Sequence, residues 1–142
     1  MTDTSSDISQ MLPNRVPACP NRRILLFAMR RMAAGGLNDA HATHALLSIF
    51  GMRFRRPLLL LRALMAEMSR VAGHKVTVAP CCCPRMTGAE AALLDAVAVS
   101  IADPHGAHDA LATVLGVRHC LGALSSAQAL HQAFADLGRP LE

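Results

Sequence analysis

Pro57-Leu58-Leu59-Leu60-Leu61-Arg62-Ala63-Leu64-Met65-Ala66-Glu67-Met68-Ser69-Arg70-Val71-Ala72-Gly73 is the stretch that decides the fold class. Leu58, Leu61, Met65, Met68 and Ala72 recur at three- and four-residue spacing, the period of one face of an α-helix. Pro57 suits the first helical position, where a missing N–H has no partner to lose, and Gly73 closes the segment. Leu59, Leu60 and Leu64 spread the apolar surface over most of the circumference, so this helix is expected to be the central and most buried one.

The same punctuation recurs on both sides. Upstream, Asn21 reads as an N-cap for a helix over Arg22 to Ala34, with Ile24, Phe27, Ala28 and Arg31 on one stripe, Leu25, Met29 and Met32 widening it, and Gly35-Gly36 as its stop. A helix from Asn38 or Asp39 to Phe50 follows, closed by Gly51. Downstream, Gly73 to Ala79 alternates briefly but has no partner strand, and is read as an extended loop. Thr87-Gly88-Ala89-Glu90 is a capping box for a helix running to about Ala102. Asp103-Pro104 opens another that ends near Leu115-Gly116, and Ser125 or Ser126 opens a last one to Leu137. The expectation is an all-α orthogonal bundle of five or six helices in one domain over residues 21–142, with residues 1–20 as a flexible arm. Leu61, Leu64, Met65, Leu93, Leu94, Val97, Leu111 and Phe134 should form its core. A chain without Trp or Tyr and with four Phe fits helices better than sheets.

The N-terminus, Met1-Thr2-Asp3-Thr4-Ser5-Ser6-Asp7, lacks the basic and apolar regions of a signal peptide, which leads to the expectation of a cytoplasmic protein. Apolar runs are broken by charge well short of the roughly 20 residues of a membrane span. Five cysteines in such a chain point to free thiols or metal ligands rather than to a disulfide framework.

Charge is distributed unevenly. Through Arg85 there are twelve Lys/Arg against four Asp/Glu, and beyond it two against six, so the halves carry +8 and −4 within a total of +4. Either the basic half meets an anionic partner or the halves neutralise each other inside the fold. The sharpest cluster, Arg53, Arg55 and Arg56, precedes a helix N-terminus, where the macrodipole disfavours cations. With Arg22 and Arg23 it makes a candidate face for an acidic protein or a nucleic acid. A standard helix-turn-helix is excluded: Pro57 would fall inside the recognition helix, and Leu58 to Leu61 are too apolar for a groove. The absence of Tyr and Trp argues against a base-stacking platform, which leaves non-specific phosphate contacts by these arginines.

Pro80-Cys81-Cys82-Cys83-Pro84-Arg85-Met86-Thr87 is the second candidate site. An extended backbone between the prolines would send Cys81 and Cys83 to one side and Cys82 to the other. With His74, Cys19, His119 or Cys120 they would supply donors for zinc or another thiophilic metal, or else they pack as small hydrophobes under the helix that begins at Thr87. Cys83, beside Arg85 and shortly before the helix start, is the expected reactive thiol. Neighbouring cysteines cannot form a relaxed disulfide. His41 and His44, three apart on a helix, are more simply surface residues than ligands. No complete catalytic set, Walker-type loop or dinucleotide glycine pattern is present. The expected role is therefore a regulatory or adaptor protein using the arginine face, or alternatively a thiol-based metal or redox sensor.

The Arg-Arg-x-x-x-x-x-Met-Arg-Arg pattern from Arg22, the Asn38-Asp39-Ala40-His41-Ala42 turn and the Cys81 to Thr87 block together resemble a family of short bacterial helical proteins known as a domain of unknown function. The resemblance covers about residues 20 to 140. It implies no activity and no catalytic residues.

Overall fold

The computed structural model of the protein describes Leu12 and residues 14–141, and within these it is an all-α bundle of six helices. They are α1 (Pro20–Gly35), α2 (Ala40–Phe50), α3 (Arg55–Val71), α4 (Gly88–Val99), α5 (Pro104–Leu115) and α6 (Leu121–Asp136). One hydrophobic core runs through all six, from Leu25 and Met29 through Leu46, Leu61 and Leu64 to Leu94, Leu111, Leu130 and Phe134. Phe50 and Phe134 meet edge to face, with ring centroids 5.0 Å apart.

Most helix ends follow from local chemistry. Asp39 caps α2 by accepting from the amides of His41 and Ala42, and Asp103 caps α5 by accepting from Gly106. Thr87 and Glu90 form the reciprocal capping box of α4. Gly116 ends α5 in the left-handed region at φ 68°, with the His74 ring packed where a side chain would project. Glycine relieves both constraints.

Four expectations are corrected. First, α1 begins at Pro20 with Cys19 in the N-cap position. Asn21 instead donates its side-chain amide to the Pro140 carbonyl, tying the start of the chain's helical part to its end. Second, α3 begins at Arg55, because a 3-10 turn over Gly51–Arg53 winds directly into it; Pro57 is its third residue. That position still lies among the first-turn amides that have no helical acceptor. Third, α3 is not the central helix: Arg55, Leu59, Ala63, Ala66 and Arg70 leave one side in solvent. Two other helices are buried over more of their length: α4 packs on α1, α5 and α6, and α6 packs on α3, α4 and α5, burying Ala123, Leu124, Ala127, Leu130, Ala133 and Phe134. Fourth, α6 starts at Leu121, four residues before Ser125, with no side-chain cap at Cys120. Tertiary packing supports that first turn: an added Cβ at Gly122 would stand 2.5 Å from a Glu67 carboxylate oxygen.

The end of the expected arm is docked. Asn14–Arg15 pairs antiparallel with Arg85–Met86, and the Val16 amide donates to the Pro84 carbonyl at 3.2 Å. The rest of the expected flexible arm, apart from Leu12, lies outside the described residues. No helix among the described residues is long and apolar enough to cross a membrane.

Candidate thiol site

The site rests on an ion pair buried between α1 and α4. Arg30 and Glu90 have side chains 2% and 3% exposed. The guanidinium meets the carboxylate side-on, Nε to Oε2 at 2.6 Å and Nη2 to Oε1 at 3.1 Å. Its remaining donors reach the backbone carbonyls of Cys83, at 2.8 Å, and Arg85, at 2.7 Å. The carboxylate also accepts from the amides of Thr87, at 2.9 Å, and Ala79, at 3.3 Å. A buried charge needs this degree of satisfaction to be tolerated. Glu90 therefore has two duties, capping α4 and holding Arg30, and Arg30 in turn pins the cysteine segment to the body of the protein.

Within that segment the backbone turns: the Cys83 amide donates to the Pro80 carbonyl at 3.0 Å. The turn replaces the expected extended geometry and changes which thiols meet. The thiols that meet are Cys81 and Cys82, with their sulfurs 3.4 Å apart. Cys81 is half-buried near Arg31, whose guanidinium is anchored on Asp39 at 2.9 and 3.2 Å. The hydrogen bond with the Cys82 thiol, then Arg31 and Arg30 nearby, hold the Cys81 thiol below its ordinary value. The Cys82 thiol is pushed up by the same neighbour. The two shifts run in opposite directions, and Cys81 is the lowered member of the pair. All three cysteines line a cavity of about 330 Å³, together with Arg23, Arg30 and Phe27.

The other donors lie elsewhere. His74 packs on Gly116 and its ring nitrogen meets the Lys75 carbonyl at 3.2 Å. Cys120 is buried at the start of α6, where burial and then the nearby Asp109 carboxylate push its thiol up. Its sulfur points to the His108 carbonyl, and the rings of His108 and His119 are 6.4 Å apart. His41 and His44 are exposed on α2. Among the described residues, no three His, Cys, Asp or Glu side chains converge as a metal-binding group. Of the donors expected for zinc, Cys81 and Cys83 stand in the turn that follows Pro80, Cys19 and Cys120 occupy the N-cap positions of α1 and α6, and His119 lies just before α6.

The arginines divide by role. Arg22 bonds the Leu141 carbonyl and Asp95, and Arg23 bonds the carbonyls of Pro17 and Ala18. Arg56 pairs with Asp136 at 3.0 Å. Arg30, Arg22 and Arg56 thus each take an acidic partner from the second half of the chain, which absorbs part of the charge asymmetry. Arg53 and Arg55 are exposed and make no ion pair among the described residues.

Sequence reasoning assigned Glu90 only to the cap and missed Arg30. A signal was present, since Arg30 follows Leu26 by four residues and so shares its buried stripe. No curated protein and no solved structure matches the chain. A family model does, over residues 3–139, and the chain belongs to that family of unknown function (DUF6628).

Proposed function

We propose that the protein is a thiol-based oxidant sensor in which Cys81 is the reacting sulfur and Cys82 resolves it. The observation that carries this reading is the 3.4 Å approach of the two sulfurs beside Arg31. A stabilised thiolate beside a second thiol is the arrangement that redox-sensing cysteines use. With a hydroperoxide as oxidant, the Cys81 thiolate attacks the outer oxygen; an S–O bond forms, the O–O bond breaks, and the departing alkoxide or hydroxide takes a proton. The Cys82 sulfur then attacks the Cys81 sulfur, an S–S bond forms, the S–O bond breaks, and hydroxide leaves as water with the Cys82 proton. The sulfur pair loses two electrons and the peroxide gains them.

The product would be strained. Adjacent Cα atoms lie about 3.8 Å apart, below the roughly 4.4–6.8 Å that disulfides prefer. Strained, accessible disulfides are readily reduced, which suits a reversible switch in a reducing compartment such as the cytoplasm. Strain at this turn would reach Arg30 through the Cys83 carbonyl. The test is peroxide treatment of reduced protein, iodoacetamide quenching and tryptic mapping of Val76–Arg85, which carries all three thiols of the cluster. Alkylation should survive only at Cys83; C82S should stop at a dimedone-reactive Cys81, and C83S should behave as wild type. Full alkylation of all three after peroxide, or protection that persists in C81S, sinks the reading.

A second reading, a regulatory adaptor, is favoured by one surface. Met52 is 87% and Leu59 60% exposed, beside the exposed Arg53 and Arg55. Cations around exposed apolar groups suit an acidic protein better than a nucleic acid. It ranks second because Arg22, Arg23 and Arg56 are engaged within the fold. Binding to polyglutamate and to duplex DNA, at low and high salt, tests it with Arg53, Arg55 and Arg56 all replaced by Ala; affinity unchanged by that replacement removes this reading.

A further inference from the structure

A cavity of about 430 Å³, separate from the one beside the cysteines, opens between α1, α3, α4 and the segment 73–79. Its size falls within the roughly 300–1,000 Å³ of small-molecule sites. Met29 and Met32 of α1 and Met65 and Met68 of α3 line it, four of the chain's eight methionines, with Leu26 and Leu93. Each pair is spaced i, i+3, so each helix contributes a short rail of thioethers, and no Phe lines the space. Unbranched, polarisable thioethers repack around flexible apolar chains.

Polarity is confined to the edge. Glu90, the one acidic lining residue, is already committed to Arg30 and to two amides. Lys75 stands at the rim, exposed and without an ion pair among the described residues, next to His74 and near Ser69. Val76 and Val78 of the same segment are half-buried against the cavity, while Lys75 and Thr77 are exposed. We infer that this cavity binds a medium-length straight-chain carboxylate, with the acyl chain between the methionine rails and the headgroup at Lys75. The inference is independent of the oxidant-sensing reading, since no cysteine lines the cavity.

Decanoate is the first probe, titrated calorimetrically into the full chain below its micelle threshold, with decanol as the uncharged control. Saturable one-to-one binding is expected, weakened about fourfold for each methylene removed. Decanol should bind more weakly than decanoate, and Lys75→Gln should bring decanoate to the level of decanol. Ala33→Trp places bulk in the cavity from an exposed position of α1 and should abolish binding while leaving the helical circular dichroism spectrum intact. Hydrogen exchange at residues 74–78 should slow on binding. Equal decanoate affinity in Ala33→Trp and wild type overturns the proposal. So does the absence of saturation, or binding seen only with anionic phospholipid vesicles and not with monomeric decanoate.

Discussion

Replacing Glu90 with Ala tests the architecture most directly. The carboxylate accepts four hydrogen bonds, two from Arg30 and one each from the amides of Thr87 and Ala79. Its loss leaves a guanidinium that is 2% exposed without its counter-charge. Breaking one side of a buried ion pair costs about 3–5 kcal/mol. Arg30 keeps the carbonyls of Cys83 and Arg85, which favours the lower part of that range, and losing half of the capping box adds back roughly 1 kcal/mol. A total of about 4 kcal/mol is expected. For a small domain with a urea m-value of about 2 kcal/mol/M, the unfolding midpoint should fall by roughly 2 M. Arg30→Met should cost a similar amount. The double variant Arg30→Met, Glu90→Leu should cost clearly less than the sum, by roughly 2 kcal/mol, because no unpaired charge remains. A Glu90→Ala cost below about 1 kcal/mol, or strict additivity in the double variant, would refute the reasoning.

Three other outcomes are expected. Arg31→Met should move the pH midpoint of Cys81 alkylation upward toward the ordinary thiol range, read from iodoacetamide rates in a Cys82→Ser, Cys83→Ser background and its Arg31→Met counterpart; an unmoved midpoint denies Arg31 its role. Thr87→Ala removes an acceptor for the Glu90 amide and a donor to the Thr77 carbonyl, and should cost about 0.5–2 kcal/mol in urea unfolding without changing the helix count. Asp39 is held below the usual carboxylate range by Arg31, then by the amides of Ala42 and His41. A depressed folded value contributes stability that is present above the unfolded value of about 4 and lost as pH falls through the folded one. Asp39→Asn should therefore lower stability at neutral pH and flatten its decline on acidification, a comparison of two pH series of thermal midpoints.

The periodicity of Leu58, Leu61, Met65 and Met68, the caps at Asp39, Thr87 and Asp103, and the stops at Gly36, Gly51 and Gly116 were all legible in the sequence, because each depends on residues within one or two turns of itself. Seven of the eight expected core residues are buried, and Met65 is the half-buried exception. The start of α6 was not legible: no capping side chain marks Cys120, and the first turn leans on Glu67 from another helix. Which helix sits at the centre likewise depended on packing, since an apolar circumference on α3 does not reveal which neighbour covers it. At the candidate site, the cysteine run was conspicuous but its partners were not. Arg30 and Glu90 lie sixty residues apart, and only the closing of α4 on α1 makes them a pair that fixes the Pro80 to Cys83 turn and so decides that Cys81 meets Cys82. Local backbone chemistry is written in short-range order, whereas a buried charge finds its partner only when the chain has folded around it.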